Sequence, residues 1–108
     1  MDKSRRGLPL EVYMWISGAL ITEIYPEIRL IAVSFSKNNE LLLRYYLDRE
    51  PTEYDYESID IVMGEITANT SCTDDITKEI TECIYSTAPQ NELDSLDECV
   101  YARREYNL

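Results

Sequence analysis

Residues 27–48, EIRLIAVSFSKNNELLLRYYLD, contain two apolar runs separated by a short polar segment. The first run, Glu27 to Phe35, is rich in Ile, Val and Phe, side chains that suit the pleated, half-buried surface of a strand. The second, Leu41 to Asp48, is equally apolar. Between them lie Ser36, Lys37, Asn38, Asn39 and Glu40, and asparagine tolerates the positive φ that a tight reversal demands. Strand, turn and strand in that order predict a β-hairpin.

The elements on either side follow from this hairpin. Pro26 disfavours a helical residue before it and so ends any helix that precedes the first strand. From Leu10 to Glu23, the residues Val12, Ile16, Ala19 and Leu20 recur at helical steps, with Trp15 beside them. That spacing predicts an amphipathic helix with one buried stripe and Trp15 in the core; Gly18 weakens the helix without forbidding it. Beyond the hairpin, Pro51 and Thr52 precede Glu53 and Asp55, acids placed where the dipole of a helix start favours them. Tyr56, Ile59, Val62, Met63 and Ile66 then share a stripe, which predicts a second helix over about residues 52–68.

ITKEITECIY (76–85) is heavily β-branched and alternates, so it reads as a strand, although Ile76, Ile80 and Ile84 at four-residue spacing would also suit a helix. STAPQNELDSLDE (86–98) reads as a polar loop with one helical turn, and CVYARREY (99–106) as a last strand. The order α-β-β-α-β-β predicts an α+β fold in a single domain, 1–108, with residues 1–8 flexible. Its economical form is a mainly antiparallel four-stranded sheet with two helices packed on one face.

The charge is uneven. The chain has 21 acidic and 10 basic residues, a formal net charge of -11, and no histidine. Residues 48–98 hold fifteen of the acids and two of the basic groups. A field of that sign repels nucleic acid and anionic lipid and draws in cationic proteins. The basic start and apolar stretch of residues 1–25 imitate a signal peptide, but Glu11 and Glu23 interrupt them. No run approaches the roughly 20 apolar residues of a membrane span. A cytoplasmic protein that contacts neither membrane nor nucleic acid is expected.

Most catalytic chemistry lacks its parts. Without histidine the common nucleophilic triads cannot be built, and three glycines cannot make a phosphate-binding loop. Cys72, Cys83 and Cys99 do not have metal-site spacing and read as reduced thiols. Asp48, Glu50, Glu53, Asp55, Glu57 and Asp60 crowd together, yet a proline and helix-starting residues stand where a calcium loop needs alternating ligands and a glycine turn. No catalytic residue, cofactor or metal is therefore expected. A metal-dependent carboxylate enzyme and a general acidic interaction module are the alternatives.

Tyr45, Tyr46, Tyr54 and Tyr56 accompany these acids. Adjacent strand residues point to opposite faces, so at least one of Tyr45 and Tyr46 is expected on display. Aromatic anchors ringed by carboxylates have the composition of a surface that captures lysine and arginine. The expected interface is Asp48, Glu50, Glu53, Asp55, Tyr56, Glu57 and Asp60, with Asp74, Asp75 and the acids of 90–98 as secondary members. Arg44, Arg103 and Arg104 are expected to pair within the chain.

The phrases Gly18 to Leu20, Pro26, Arg44 to Tyr46, Asp48, Glu50 to Asp60, and Val100 to Glu105 together resemble a family of small acidic bacterial immunity proteins. These are the cognate inhibitors of contact-dependent growth inhibition toxins and related polymorphic toxins. The resemblance spans residues 18–69 and 100–106; Arg49 departs from it, standing where the pattern has a turn glycine. It implies a monomer that binds one toxin's C-terminal domain as a 1:1 complex. Such a domain is usually a basic nuclease, acting on RNA or DNA, whose active site or substrate surface is blocked.

Overall fold

The hairpin forms where the sequence places it. In the computed structural model, which describes residues 9–68 and 76–105, β1 (Ile28–Phe35) pairs antiparallel with β2 (Glu40–Leu47). Asn39 takes φ 63° at the reversal, the left-handed conformation that asparagine tolerates better than most residues. Ser36 Oγ accepts the backbone N–H groups of Asn38 and Glu40 at 3.2 and 3.1 Å and fixes the turn.

Helix α1 (Leu10–Ala19) precedes the hairpin, and helix α2 (Glu53–Ala68) follows it. The first stops short of the predicted Glu23. Its last turn closes through Leu20, and Thr22 at φ 71° diverts the chain toward β1. Strands β3 (Lys78–Tyr85) and β4 (Glu98–Ala102) complete the sheet, with one 3-10 turn at Gln90–Glu92 in the polar loop between them.

The sheet order is β3-β2-β1-β4. β4 pairs antiparallel with β1, whereas β3 runs parallel to β2, so the α+β sheet is mixed. Parallel neighbours need a crossover connection, and α2 supplies it. That crossover lays α2 over β2 and β3.

Both helices pack on one face of the sheet. Val12, Ile16, Ala19 and Leu20 of α1 and its end meet Ile59, Val62, Met63 and Ile66 of α2 over Ile31, Val33, Leu41, Leu43, Tyr45 and Leu47. Trp15 is half-buried against this cluster rather than enclosed by it. Burying one such aliphatic side chain stabilises by about 1.5–3 kcal/mol, so this stripe fixes the orientation of both helices.

The opposite face is covered too, which corrects the expectation that one of Tyr45 and Tyr46 is displayed. Tyr45 is 0% and Tyr46 5% exposed. They do point to opposite faces, but Tyr46 packs with Leu30 and Ala32 beneath Ile84, Leu93 and Leu96, and its hydroxyl donates to the Asp94 carbonyl at 2.8 Å. The polar loop is thus a lid on the second face. The stripe of α2 is corrected as well: Tyr56 is exposed, and Asp55 takes the buried position one residue earlier.

Candidate functional site

The start of α2 is organised around a carboxylate that faces inward. Asp55 is 0% exposed. Its Oδ1 accepts from the Tyr25 hydroxyl at 2.6 Å and from Arg49 Nη2 at 3.0 Å. Its Oδ2 accepts from the Thr52 backbone N–H at 2.7 Å, Thr52 Oγ1 at 3.1 Å and Arg49 Nη1 at 3.0 Å. A side chain three residues into a helix that accepts the N–H of the capping residue satisfies a group the helix cannot. Burial by itself pushes this carboxyl up, but the bonds from Tyr25 and Thr52 and the charge of Arg49 outweigh it and hold its pKa below the ordinary value. The same burial and bond push the Tyr25 hydroxyl well above its usual range.

Asp55 therefore does not belong to the expected interface, because a carboxylate with both oxygens engaged and no exposure cannot meet a partner. The place of Arg49 is also explained. It has no positive φ, so that turn does not need a glycine, and its guanidinium instead forks onto Asp55 in the bidentate geometry that suits carboxylates.

The outward side of α2 carries what remains of the site. Glu53, Glu57 and Asp60 recur at steps of four and three and are exposed, so they form one ridge along the helix. Tyr54 (59% exposed) and Ile61 (54%) lie along one shoulder and Tyr56 (48%) along the other. The Tyr54 ring meets Tyr25 edge-on at 5.1 Å between centroids, which steadies it over the buried carboxylate. Glu50 is exposed just before the helix. The sequence between Glu50 and Thr77 has no basic residue, and Arg49 is committed to Asp55. Among the described residues, no cation pairs with Glu50, Glu53 or Glu57.

The other expected members divide. Asp48 is exposed but spends one oxygen on Arg103 Nη1 at 2.7 Å. Asp60 accepts from Thr81 Oγ1 at 3.3 Å and so touches β3. Asp74 and Asp75 lie outside the described residues, as do Cys72 and residues 1–8. In the 90–98 loop, Asp94 and Asp97 cap backbone N–H groups of Leu96 and Phe35, so part of that acidity holds the lid.

The arginines pair within the chain, as the sequence suggests for Arg44 and Arg103. Arg44 Nε meets Glu82 Oε1 at 2.7 Å across the parallel pair. Arg29 donates twice to Glu105 at 2.8 Å, Arg103 Nε donates to the same carboxylate at 2.9 Å, and Arg103 also grips Asp48. This network ties β4 to the ends of β1 and β2. The bond from Arg29, then that from Arg103, overcome desolvation and bring the Glu105 carboxyl down to about 2. Burial pushes the Cys83 thiol up to about 12 and raises that of Cys99, the opposite of what a reactive thiolate needs. Among the described residues, no three His, Cys, Asp or Glu side chains converge as a ligand set, and no helix is long and apolar enough to cross a membrane.

The family profile of the MafI2 immunity proteins matches residues 9–105. The chain belongs to the MafI2 immunity protein family. It is therefore an immunity protein, one that neutralises a toxin. The match is to the immunity proteins of the Maf system, a related polymorphic toxin system. A search of the curated proteins gives no match. The MafI2 match takes in every described element of the fold, from α1 through β4, and the whole of the acidic ridge.

Proposed function

We propose that this immunity protein neutralises a cationic nuclease toxin by laying the outer face of α2 across the toxin's active site or substrate surface. The observation that carries this reading is the row of Glu50, Glu53, Glu57 and Asp60, shouldered by Tyr54, Tyr56 and Ile61, in which Glu50, Glu53 and Glu57 have no ion-pair partner among the described residues. A nuclease must hold phosphates in a positive cleft, and a rigid row of carboxylates fits such a cleft as a phosphate substitute. Tyrosine rings supply contact area at low conformational cost, and the acids steer the approach. Inhibition on this reading needs binding alone, as a 1:1 complex in the cytoplasm, with the chain a monomer when free and no catalysis, cofactor or metal. Of the other expected acids, Asp48 among the primary members and the capping members of 90–98 among the secondary ones serve the fold first.

The test is association with the cognate toxin domain, measured by surface plasmon resonance at rising salt. The association rate is expected to fall at least tenfold between about 50 and 500 mM salt, as electrostatic steering requires. The combined variant Glu50→Gln, Glu53→Gln, Glu57→Gln, Asp60→Asn should bind at least 100-fold more weakly while melting within a few degrees of the parent. Unchanged affinity in that variant rules the reading out.

A further inference from the structure

We propose that the outer edge of β3 is a second part of the toxin-binding surface and accepts an extended, basic segment of the toxin as a fifth strand. This rests on the reading that the protein binds a cationic toxin and assigns that partner a backbone conformation. Every strand edge presents a row of unpaired N–H and C=O groups, and natural proteins blunt such edges with charged side chains, short strands, bulges, proline or cover. β3 has the first of these in Lys78, Glu79 and Glu82, and none of the devices that bend or interrupt the backbone. The two edges of this sheet are treated differently. β4 has five residues and a register shift in its pairing with β1. β3 has eight residues without proline, pairs with β2 in unbroken register from Lys78 to Tyr85, and has no bulge. Among the described residues, no strand and no backbone hydrogen bond meets its outer side. Alternate residues of a strand aim both backbone groups to the same side, so about four N–H and C=O pairs face outward.

Charge and position select the occupant. The β3 edge lies beside α2, since Asp60 reaches Thr81, and Tyr56 sits one helical turn before Asp60 on that flank. On the helix side of β3, Glu79 and Tyr85 are exposed. An incoming strand would set every second side chain between the edge and the ridge, near Glu79, Asp60 and Tyr56, where lysine or arginine is favoured. A second copy of this chain would bring another -11 of charge to the same place. Main-chain pairing gives affinity in such an arrangement, and alternate side chains give specificity.

The experiment is hydrogen–deuterium exchange of the full chain, alone and saturated with its cognate toxin domain, read at 78–85 and 98–102. Exchange in β3 is expected to slow at least tenfold on binding, with β4 unchanged. In parallel, Thr81→Pro and Glu82→Pro are compared. These neighbours face opposite sides, so one of the two spares the β2 ladder. That variant should keep the parent's circular dichroism and bind the toxin at least tenfold more weakly. Toxin binding with unchanged β3 exchange overturns the inference and leaves the α2 reading standing. Absence of any toxin binding overturns both. A free dimer with β3 already protected, seen by sedimentation, assigns the edge to a second copy and also overturns it.

Discussion

Replacing Asp55 by Asn keeps its size and removes its charge, and the buried geometry sets the cost. The carboxylate accepts from Tyr25, twice from Thr52 and twice from Arg49. The new amide nitrogen cannot accept. Placed at Oδ1 it can donate to the Tyr25 hydroxyl, but it then faces Arg49 Nη2; placed at Oδ2 it opposes both the Thr52 N–H and Arg49 Nη1. The first orientation is the better one and still loses the fork. Breaking a buried pair costs about 3–5 kcal/mol, and bonds to charged groups about 1.5–3 kcal/mol each. Arg49 is one-third exposed and regains water, so the expected loss is about 2–3 kcal/mol. For a domain of this size that lowers Tm by roughly 10–20 °C. Urea unfolding followed by circular dichroism gives the free energy directly. Toxin affinity, measured well below Tm, should stay within threefold of the parent, because Asp55 has no surface. A loss under about 0.5 kcal/mol, or a toxin affinity that collapses while the fold stays intact, refutes the assignment of Asp55 to the interior.

Two further outcomes follow from the same structure. Glu105 has a folded pKa depressed from 4.5 to about 2, so its contribution is complete above the unfolded value and is lost as pH falls from about 4.5 to about 2. Discounted for its partial exposure, that contribution is about 1–2 kcal/mol, and Glu105→Gln should flatten the acid limb of a stability profile in that window. Gly64 lies on the outer face of α2 with nothing within 4 Å of an added Cβ and no positive φ. Gly64→Ala should therefore raise stability by about 0.5–1 kcal/mol in thermal melts.

The order of elements, the hairpin, the stripe of α1 and that of α2 from Ile59 onward were readable because they depend on spacing within one segment. Asn39 signalled the turn for the same reason. The readings that failed depend on meetings between distant segments. Nothing local to Tyr46 says that Leu93 and Leu96 will cover it. Nothing local to Asp55 says that Tyr25, thirty residues earlier, will supply a hydroxyl. A signal did exist: Thr52 and Asp55 stand at capping-box spacing, with Arg49 six residues before the carboxylate. Composition counted Asp55 among the acids of a surface, whereas geometry makes it the acid that positions the others. The parallel placement of β3 was equally hidden, since a strand's own residues do not state its direction.

The two sides of α2 have different structural duties. The inward residues, from Asp55 to Ile66, specify how the helix sits, while Glu53, Glu57, Asp60 and the shoulder tyrosines hold no position in either core. Letters on the outer side can be rewritten without asking the chain to refold. If toxin is bound there as proposed, such a helix is a fixed mount with an exchangeable face, able to follow a changing adversary one substitution at a time.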